Sequence, residues 1–434
     1  MRSEQNPSLL YSADKYLLFL LFSVPPLFSQ LTYVMLSLSS PAPGLVAISV
    51  GILLLFSRAL ISFRADLLTY FFIFVCILWL LGAGVIEFFW HRQTDAVVGL
   101  AFLLVMLAAV ALVEVFRRVE LASLLRGLFL SVLLFLFLGW FSQLFPSAIP
   151  VAYGALVSPV FPFSEPSHYA LALGQIAVAY SFIGHPRRVL FLVLNLFLLA
   201  FLQPSLTLMV FSVMALWAFL CRSPDYRFWM VLGLLLVPLA LFALFTFNSY
   251  FASRAPSLET DNLTALVFLQ GWALAFENFS ENLLMGLGFQ NLGSGTTELN
   301  TFSEAIYSLT GGYHLNLQDG GFLAAKVIAE LGVFGILISL AYFVFCVWWF
   351  FRARLFLRQF LNRSSRANSR LTGKLLVAAG LVFGYFVEFF FRGYGYFSPG
   401  LLLVMASFLY LLAHRKHLFY CSESAVGRSF GERI

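Results

Sequence analysis

From Tyr16 onward the chain returns repeatedly to apolar runs long enough to cross a bilayer, and that recurrence leaves few folds open. A spanning helix takes about 20 apolar residues, because its backbone polar groups must be satisfied within the segment itself. By this measure 16–38, 44–63, 67–90, 95–116, 121–145, 168–184, 189–203, 205–220, 228–247, 321–351, 374–391 and 398–413 read as spans. The pair around Gln203-Pro204-Ser205 is either a hairpin of two spans or one long buried helix broken at Pro204. With 61% of its 434 residues hydrophobic and 11% charged, the chain has no room left for a soluble domain of ordinary size. The expected fold is an all-α polytopic membrane protein of about 12 transmembrane helices. The first run is longer than a signal-peptide core and lacks a small-residue cleavage site, so it is expected to stay as a span. Cys76, Cys221, Cys346 and Cys421 fall in spans or on the inner side, which implies no structural disulfide.

Charge sets the orientation. With the N-terminus inside, Arg117-Arg118, Arg187-Arg188, Arg222 and Arg227, Arg352 through Lys374 and Arg415-Lys416 all face the cytoplasm. Of the 26 Lys and Arg, only Arg92, Arg254, Lys326 and Arg392 fall on the outer side or in an outer membrane half. This is the positive-inside asymmetry. The net charge of +6 is therefore a topology signal and a reason to sit beside anionic lipid, with no nucleic-acid implication. The chain divides into an N-terminal bundle over 1–247, a large outer loop over 248–320, C-terminal helices over 321–413 and an inner tail over 414–434.

The few outer cations are the informative ones. In the outer loop Arg254 stands alone against Glu259, Asp261, Glu277, Glu281, Glu298, Glu304 and Asp319. It either pairs with a neighbouring carboxylate or offers a rigid, permanent charge to a phosphate. Arg392 ends its span at the outer mouth, where it can form an i,i+4 pair with Glu388 or meet the same anion. Lys326 and Glu330, also four apart, lie in the span that follows, where ionisable groups are costly. They either neutralise each other or support a site.

A second outer segment, Phe163-Ser164-Glu165-Pro166-Ser167-His168-Tyr169-Ala170, leads into an apolar helix that Ser164 or Ser167 can cap. Glu165 can complement the helix dipole, orient an acceptor or take its proton, and His168 stands within a turn of it. In the long loop, Leu263–Phe279 reads as a helix on or dipping into the bilayer surface, and Gly286-Leu287-Gly288-Phe289 as a tight reversal. His314 is that loop's one histidine, the side-chain type suited to proton transfer near neutral pH, and reads as a catalytic group or an exposed bystander.

In their order, Arg254, Trp272-Ala273-Leu274-Ala275, Asn282, Gly286-Leu287-Gly288-Phe289 and Glu330-Leu331-Gly332-Val333-Phe334-Gly335 resemble the O-antigen polymerase (Wzy) and O-antigen ligase (WaaL) superfamily. The segment Ser164-Glu165-Pro166-Ser167-His168 is similar to one in the polysaccharide-polymerase branch. The likeness covers mainly 163–335. It implies a GT-C-like, metal-independent glycosyltransferase of the bacterial inner membrane, with a periplasmic active site and no cofactor. The implied donor is an undecaprenyl-pyrophosphate-linked oligosaccharide, whose glycan passes to a hydroxyl of the next lipid-linked repeat unit. A chain-length regulator is a further partner of such enzymes. Arg254 and Arg392 would stabilise the departing pyrophosphate, Glu165, His168 and His314 are the candidates for handling the acceptor, and Lys326, Glu330, Glu388 and Asp319 would support them. The family often carries His-Asn shortly before the Glu-Leu-Gly run; here His314 is further upstream and Asn316 is not adjacent, while Asp319 stands nearer that place.

A ligase shares most of these features. A lipid-linked oligosaccharide flippase or transporter is the expectation from another class, though no repeated topology is visible. A dolichyl-phosphate-sugar transferase would carry paired acids in a large first outer loop, which here is only Ser39-Ser40-Pro41-Ala42-Pro43.

Overall fold

The computed structural model describes residues 7–61, 96–149, 159–223, 261–284, 286–293, 300–362 and 366–417, with isolated positions between 69 and 77 and between 225 and 252. The described residues form helices joined by turns and loops. In chain order they are α1 (Pro7–Met35), α2 (Ala42–Leu55), α3 (Ser57–Ile61), α4 (Ala96–Arg118), α5 (Leu121–Leu144), α6 (Pro166–Ile183), α7 (Pro186–Leu202) and α8 (Leu206–Leu220). They continue with α9 (Leu263–Glu281), α10 (Thr301–Leu309), α11 (Leu323–Leu331), α12 (Val333–Asn362), α13 (Arg366–Gly384), α14 (Phe386–Phe390) and α15 (Pro399–Ala413).

Five stretches are long and apolar enough to cross a membrane: Tyr16–Met35, Val97–Arg118, Leu121–Leu144, Val333–Leu361 and Ser369–Phe390. α2, α8 and α15 are apolar but shorter. Leu54, Leu55, Val97, Phe137, Leu337 and Phe351 all stand exposed on these helices. Side chains of that kind, outward on apolar helices, fit hydrocarbon rather than water. The chain is a helical membrane protein.

At the centre of the bundle lies α13, which packs against α6, α12 and α15. Its span is 83% buried, against 22% for the peripheral span of α12. Where lipid would otherwise compete equally for apolar surface, small residues let helices approach and hydroxyls join them. Along the α1–α5 contact Ser23 Oγ donates to Ser131 Oγ at 2.9 Å, and Gly127 admits Leu18. Around Pro204 the chain forms a hairpin: α7 ends at Leu202, Ser205 caps α8 by accepting from Leu208 N, and the two helices pack together. Of the two sequence readings, the hairpin is the observed one.

The expected span 321–351 divides at Gly332. Its φ of +56° is open to glycine but strained for any residue with a Cβ, and a Cβ there would fall 2.6 Å from the Leu283 carbonyl. Lys326 and Glu330 therefore sit on the separate nine-residue α11, and α12 carries the span. α11 packs against α9, whose start is capped by Asn262 accepting from Thr264 N and Ala265 N. The reversal expected at Gly286–Phe289 is present: Leu287 N donates to Ala329 O and Gly288 N to Glu330 O, which docks the turn onto α11.

The bundle has two unlike ends. At one end Lys374 Nζ donates to Arg117 O at 2.8 Å, and Arg222 donates to Phe182 O and Gly184 O, so cations satisfy the orphan carbonyls that close α4 and α6. The other end gathers the start of α6, the turn after α14, the start of α15 and the loops beside α9 and α11. There Gly393 N donates to Gly321 O.

Candidate functional site

The first turn of α6 presents its polar groups to the turn after α14. Glu165 is the N-cap residue, and its backbone carbonyl accepts from Tyr169 N. Neither Ser164 nor Ser167 caps the helix, contrary to the sequence expectation, because both hydroxyls have stronger partners. Ser167 Oγ donates to Glu165 Oε1 at 2.7 Å, and Ser164 Oγ lies 2.9 Å from His168 Nδ1. His168 Nε2 is 2.9 Å from the same Glu165 Oε1, and Arg392 reaches that oxygen from 227 residues away. The side chains of Arg392, His168 and Glu165 are 19%, 18% and 35% exposed, so the group is sheltered yet open to the surface.

Arg392 thus pairs with Glu165 instead of the local Glu388. The i,i+4 geometry fails because the helix ends first: α14 stops at Phe390, and Phe391 and Arg392 both donate their N–H groups to Val387 O. Glu388, 3% exposed, points into the bundle. Burial alone would raise Glu165, but His168 when protonated, the charge of Arg392 and the hydrogen bonds from His168 and Ser167 outweigh it and hold the carboxyl far below its ordinary range.

A carboxylate accepts only, so the hydrogen on Nε2 of His168 is fixed by Glu165, which leaves Nδ1 of the neutral ring as an acceptor facing Ser164. Tyr394 packs its ring 4.4 Å from the imidazole and accepts through its hydroxyl from Gln30 Nε2 at 3.2 Å. Tyr394 and Gln30 did not stand out in the sequence. The only signal there was the aromatic and glycine run Gly393-Tyr394-Gly395-Tyr396 directly after Arg392.

Lys326, Glu330 and Asp319 form a second group. The fully buried Lys326 Nζ lies 2.6 Å from Gln290 Oε1, 2.8 Å from Gln318 O, 3.3 Å from Asp319 Oδ1 and 3.8 Å from Glu330 Oε1. Glu330 in turn accepts from Gln290 N and Leu292 N. Both ions are spent on loop backbone and side chains, so their shared work is to staple the 286–292 and 316–321 turns to α11. Asp319 remains half exposed, and Gly395 of the Arg392 turn lies beside it.

No protein-family model matches the chain, and no curated protein is significantly similar to it. Its chemistry has to be read from the site itself.

Of the sequence candidates, the structure brings Glu165, His168 and Arg392 together and holds Lys326, Glu330 and Asp319 as neighbours of one another. His314 joins neither group: it is exposed, stacks on Tyr307 of α10 at 4.8 Å and makes no hydrogen bond among the described residues. Arg254 lies outside the described residues. The arrangement at Glu165 can do two things chemically. It holds an oriented imidazole whose Nδ1 lone pair can accept a hydroxyl proton, and it places a guanidinium a few ångströms away, where anionic oxygen can be met.

Proposed function

We propose that the chain is a multi-pass glycosyltransferase that polymerises a surface glycan, passing the growing chain from a lipid pyrophosphate to a hydroxyl of the next lipid-linked repeat unit. The observation that carries this reading is the convergence of His168 and Arg392 on Glu165 at one end of the bundle, opposite the end where Arg117, Lys374 and Arg222 gather. By the positive-inside rule the basic end is cytoplasmic, which makes the Glu165 end extracytoplasmic. The reading extends the fold to about 12 spans in a GT-C-like arrangement.

In this scheme the acceptor hydroxyl takes the place of Ser164 at His168 Nδ1. Its proton passes to the imidazole, its oxygen bonds to the anomeric carbon, and the bond from that carbon to the pyrophosphate oxygen breaks with its electron pair. Charge grows on the leaving pyrophosphate, where Arg392, joined by Arg254, stabilises it more in the transition state than in the ground state. Glu165, saturated by three donors on one oxygen, orients the imidazole and balances imidazolium as it forms, so His168 rather than Glu165 is the base. His314 drops out of the proposed machinery. The loose motif order shared with the O-antigen polymerase and ligase superfamily agrees with this chemistry, and the Glu165-Pro166 segment favours the polymerase branch.

Deletion of the gene and gel analysis of surface glycans is the direct test. Surface carriers capped by a single repeat unit support the polymerase. Loss of all capping with stored lipid-linked polymer makes the chain a ligase, and lipid-linked units trapped in the cytoplasm make it a flippase. With purified protein, Arg392→Ala and His168→Ala polymerising lipid-linked units at the normal rate would overturn the roles of both residues.

A further inference from the structure

Beside the Glu165 group, and separated from it by Tyr394, a small cavity with a cluster of polar groups in an otherwise apolar lining opens among α1, α6, α14 and the start of α15. Its volume is about 20 Å3, and its polar lining is Gln30, Gln175, Glu388, Tyr394 and Ser398, with Gly400 forming one wall. Room for one water-sized body requires about 10–15 Å3. The space exists because position 400 is glycine: a methyl there would overlap Glu388 Oε2 and come 3.0 Å from Gln175 Oε1. Pro25 and Pro26 contribute from α1, since a proline lacks the N–H of the helical ladder and Pro26 itself lines the space.

The lining is selective in its chemistry. Glu388 is 3% exposed and Gln30 2%, and Oε1 of each has no hydrogen-bond partner. Gln175 Nε2 donates to Leu381 O at 3.0 Å and Gly400 O at 3.3 Å, which fixes its amide so that the oxygen is the free end. Gln30 Nε2 is likewise spent on Tyr394. The two amides and the carboxylate therefore offer oxygen, with the hydroxyls of Tyr394 and Ser398 beside them. Among the described residues no Lys, Arg or His forms an ion pair with Glu388. The start of α15 faces it and offsets only part of the charge, which falls short of what burying an unpaired carboxylate costs. A neutral water would satisfy the oxygens but leave that difference standing.

We propose that this cavity is a binding site for one small monovalent cation, with sodium as the ion, held by Glu388 and the amide oxygens of Gln30 and Gln175. One carboxylate balances one charge, and among the described residues no second acid, which a divalent ion would call for, lines the cavity. The ion ties α1 and α6 to the segment that follows Glu388, and so to the turn carrying Arg392. This inference stands on the cavity alone and does not need the glycosyltransferase reading.

The test is binding of radioactive sodium to the purified full chain in detergent, with thermal unfolding measured in sodium, potassium and choline chloride at equal ionic strength. One sodium per chain is expected, displaced by unlabelled sodium and not by choline, with unfolding raised in sodium alone. Glu388→Gln should weaken binding by about tenfold or more, since it removes the compensating charge. Gln30→Leu, which leaves that charge in place, should weaken it less and serves where Glu388→Gln fails to fold. Absence of saturable sodium binding in the wild type, or binding unchanged in both variants, means that a proton and water fill the cavity and overturns the proposal.

Discussion

Replacing Glu165 by Gln keeps the shape of the side chain and removes the charge that holds the site together. Three donors converge on Oε1, from Ser167, His168 and Arg392. An amide oxygen accepts fewer of them and carries no charge, and Arg392 already has an unpartnered buried Nε. A fully exposed pair is worth about 0.2–1 kcal/mol and breaking a buried one costs about 3–5 kcal/mol. With side-chain exposures of 19% and 35%, the pair falls between them, at about 2 kcal/mol. The assay is a double-mutant cycle of Glu165→Gln, Arg392→Gln and the combination, followed by unfolding in detergent. Each single change should cost about 2 kcal/mol and the double about 1–1.5 kcal/mol less than their sum, because the second change removes a charge the first has orphaned. If the double equals the sum within about 0.3 kcal/mol, the two groups do not interact and the reasoning fails.

Acid should expose the same pair. Glu165 titrates far below its ordinary 4.5 when folded, so its contribution is complete above that pH and is lost as pH falls towards its folded value; the stability gap between wild type and Glu165→Gln should begin to narrow below about pH 4.5 and go on narrowing as pH falls further, and parallel curves would refute it. Lys326→Met, leaving Glu330 buried without its cation, should cost about 3–5 kcal/mol in denaturant unfolding, with part regained in Lys326→Met/Glu330→Gln. His314→Ala, removing only an exposed stack on Tyr307, should change stability by no more than about 0.5 kcal/mol and leave polymerisation in the purified system intact.

Helices were legible wherever an apolar run is long, as in α4 and α5, because burial or lipid contact of such a run admits little else. The split of the expected 321–351 span was not, since Gly332 reads as one more small residue in an apolar helix until the neighbouring Leu283 carbonyl forbids a side chain there. At the site, sequence spacing set His168 within a turn of Glu165 and pointed to Arg392 separately. It could not bring Arg392 to that pair, because the only partner it can assign to Arg392 is the one a helical turn away, and that helix has ended. Tyr394 and Gln30 were invisible for a related reason. A tyrosine and a glutamine near span ends are ordinary, and what distinguishes these two is a contact of 3.2 Å between Gln30 Nε2 and the Tyr394 hydroxyl across 364 positions of chain.

The two acids at this end of the bundle show how placement assigns work to identical chemistry. Glu165 stands at the mouth, and its charge is met by an imidazole and a guanidinium that both need an anion to hold them in place. Glu388 is buried past Tyr394, where the start of α15 faces it and no cation pairs with it among the described residues. Had Arg392 paired with Glu388, the guanidinium would be drawn inward, His168 would lose the companion that shares its carboxylate, and Glu165 would carry one cation fewer. The early end of α14 is therefore what keeps Arg392 beside Glu165 at the partly open mouth of the bundle.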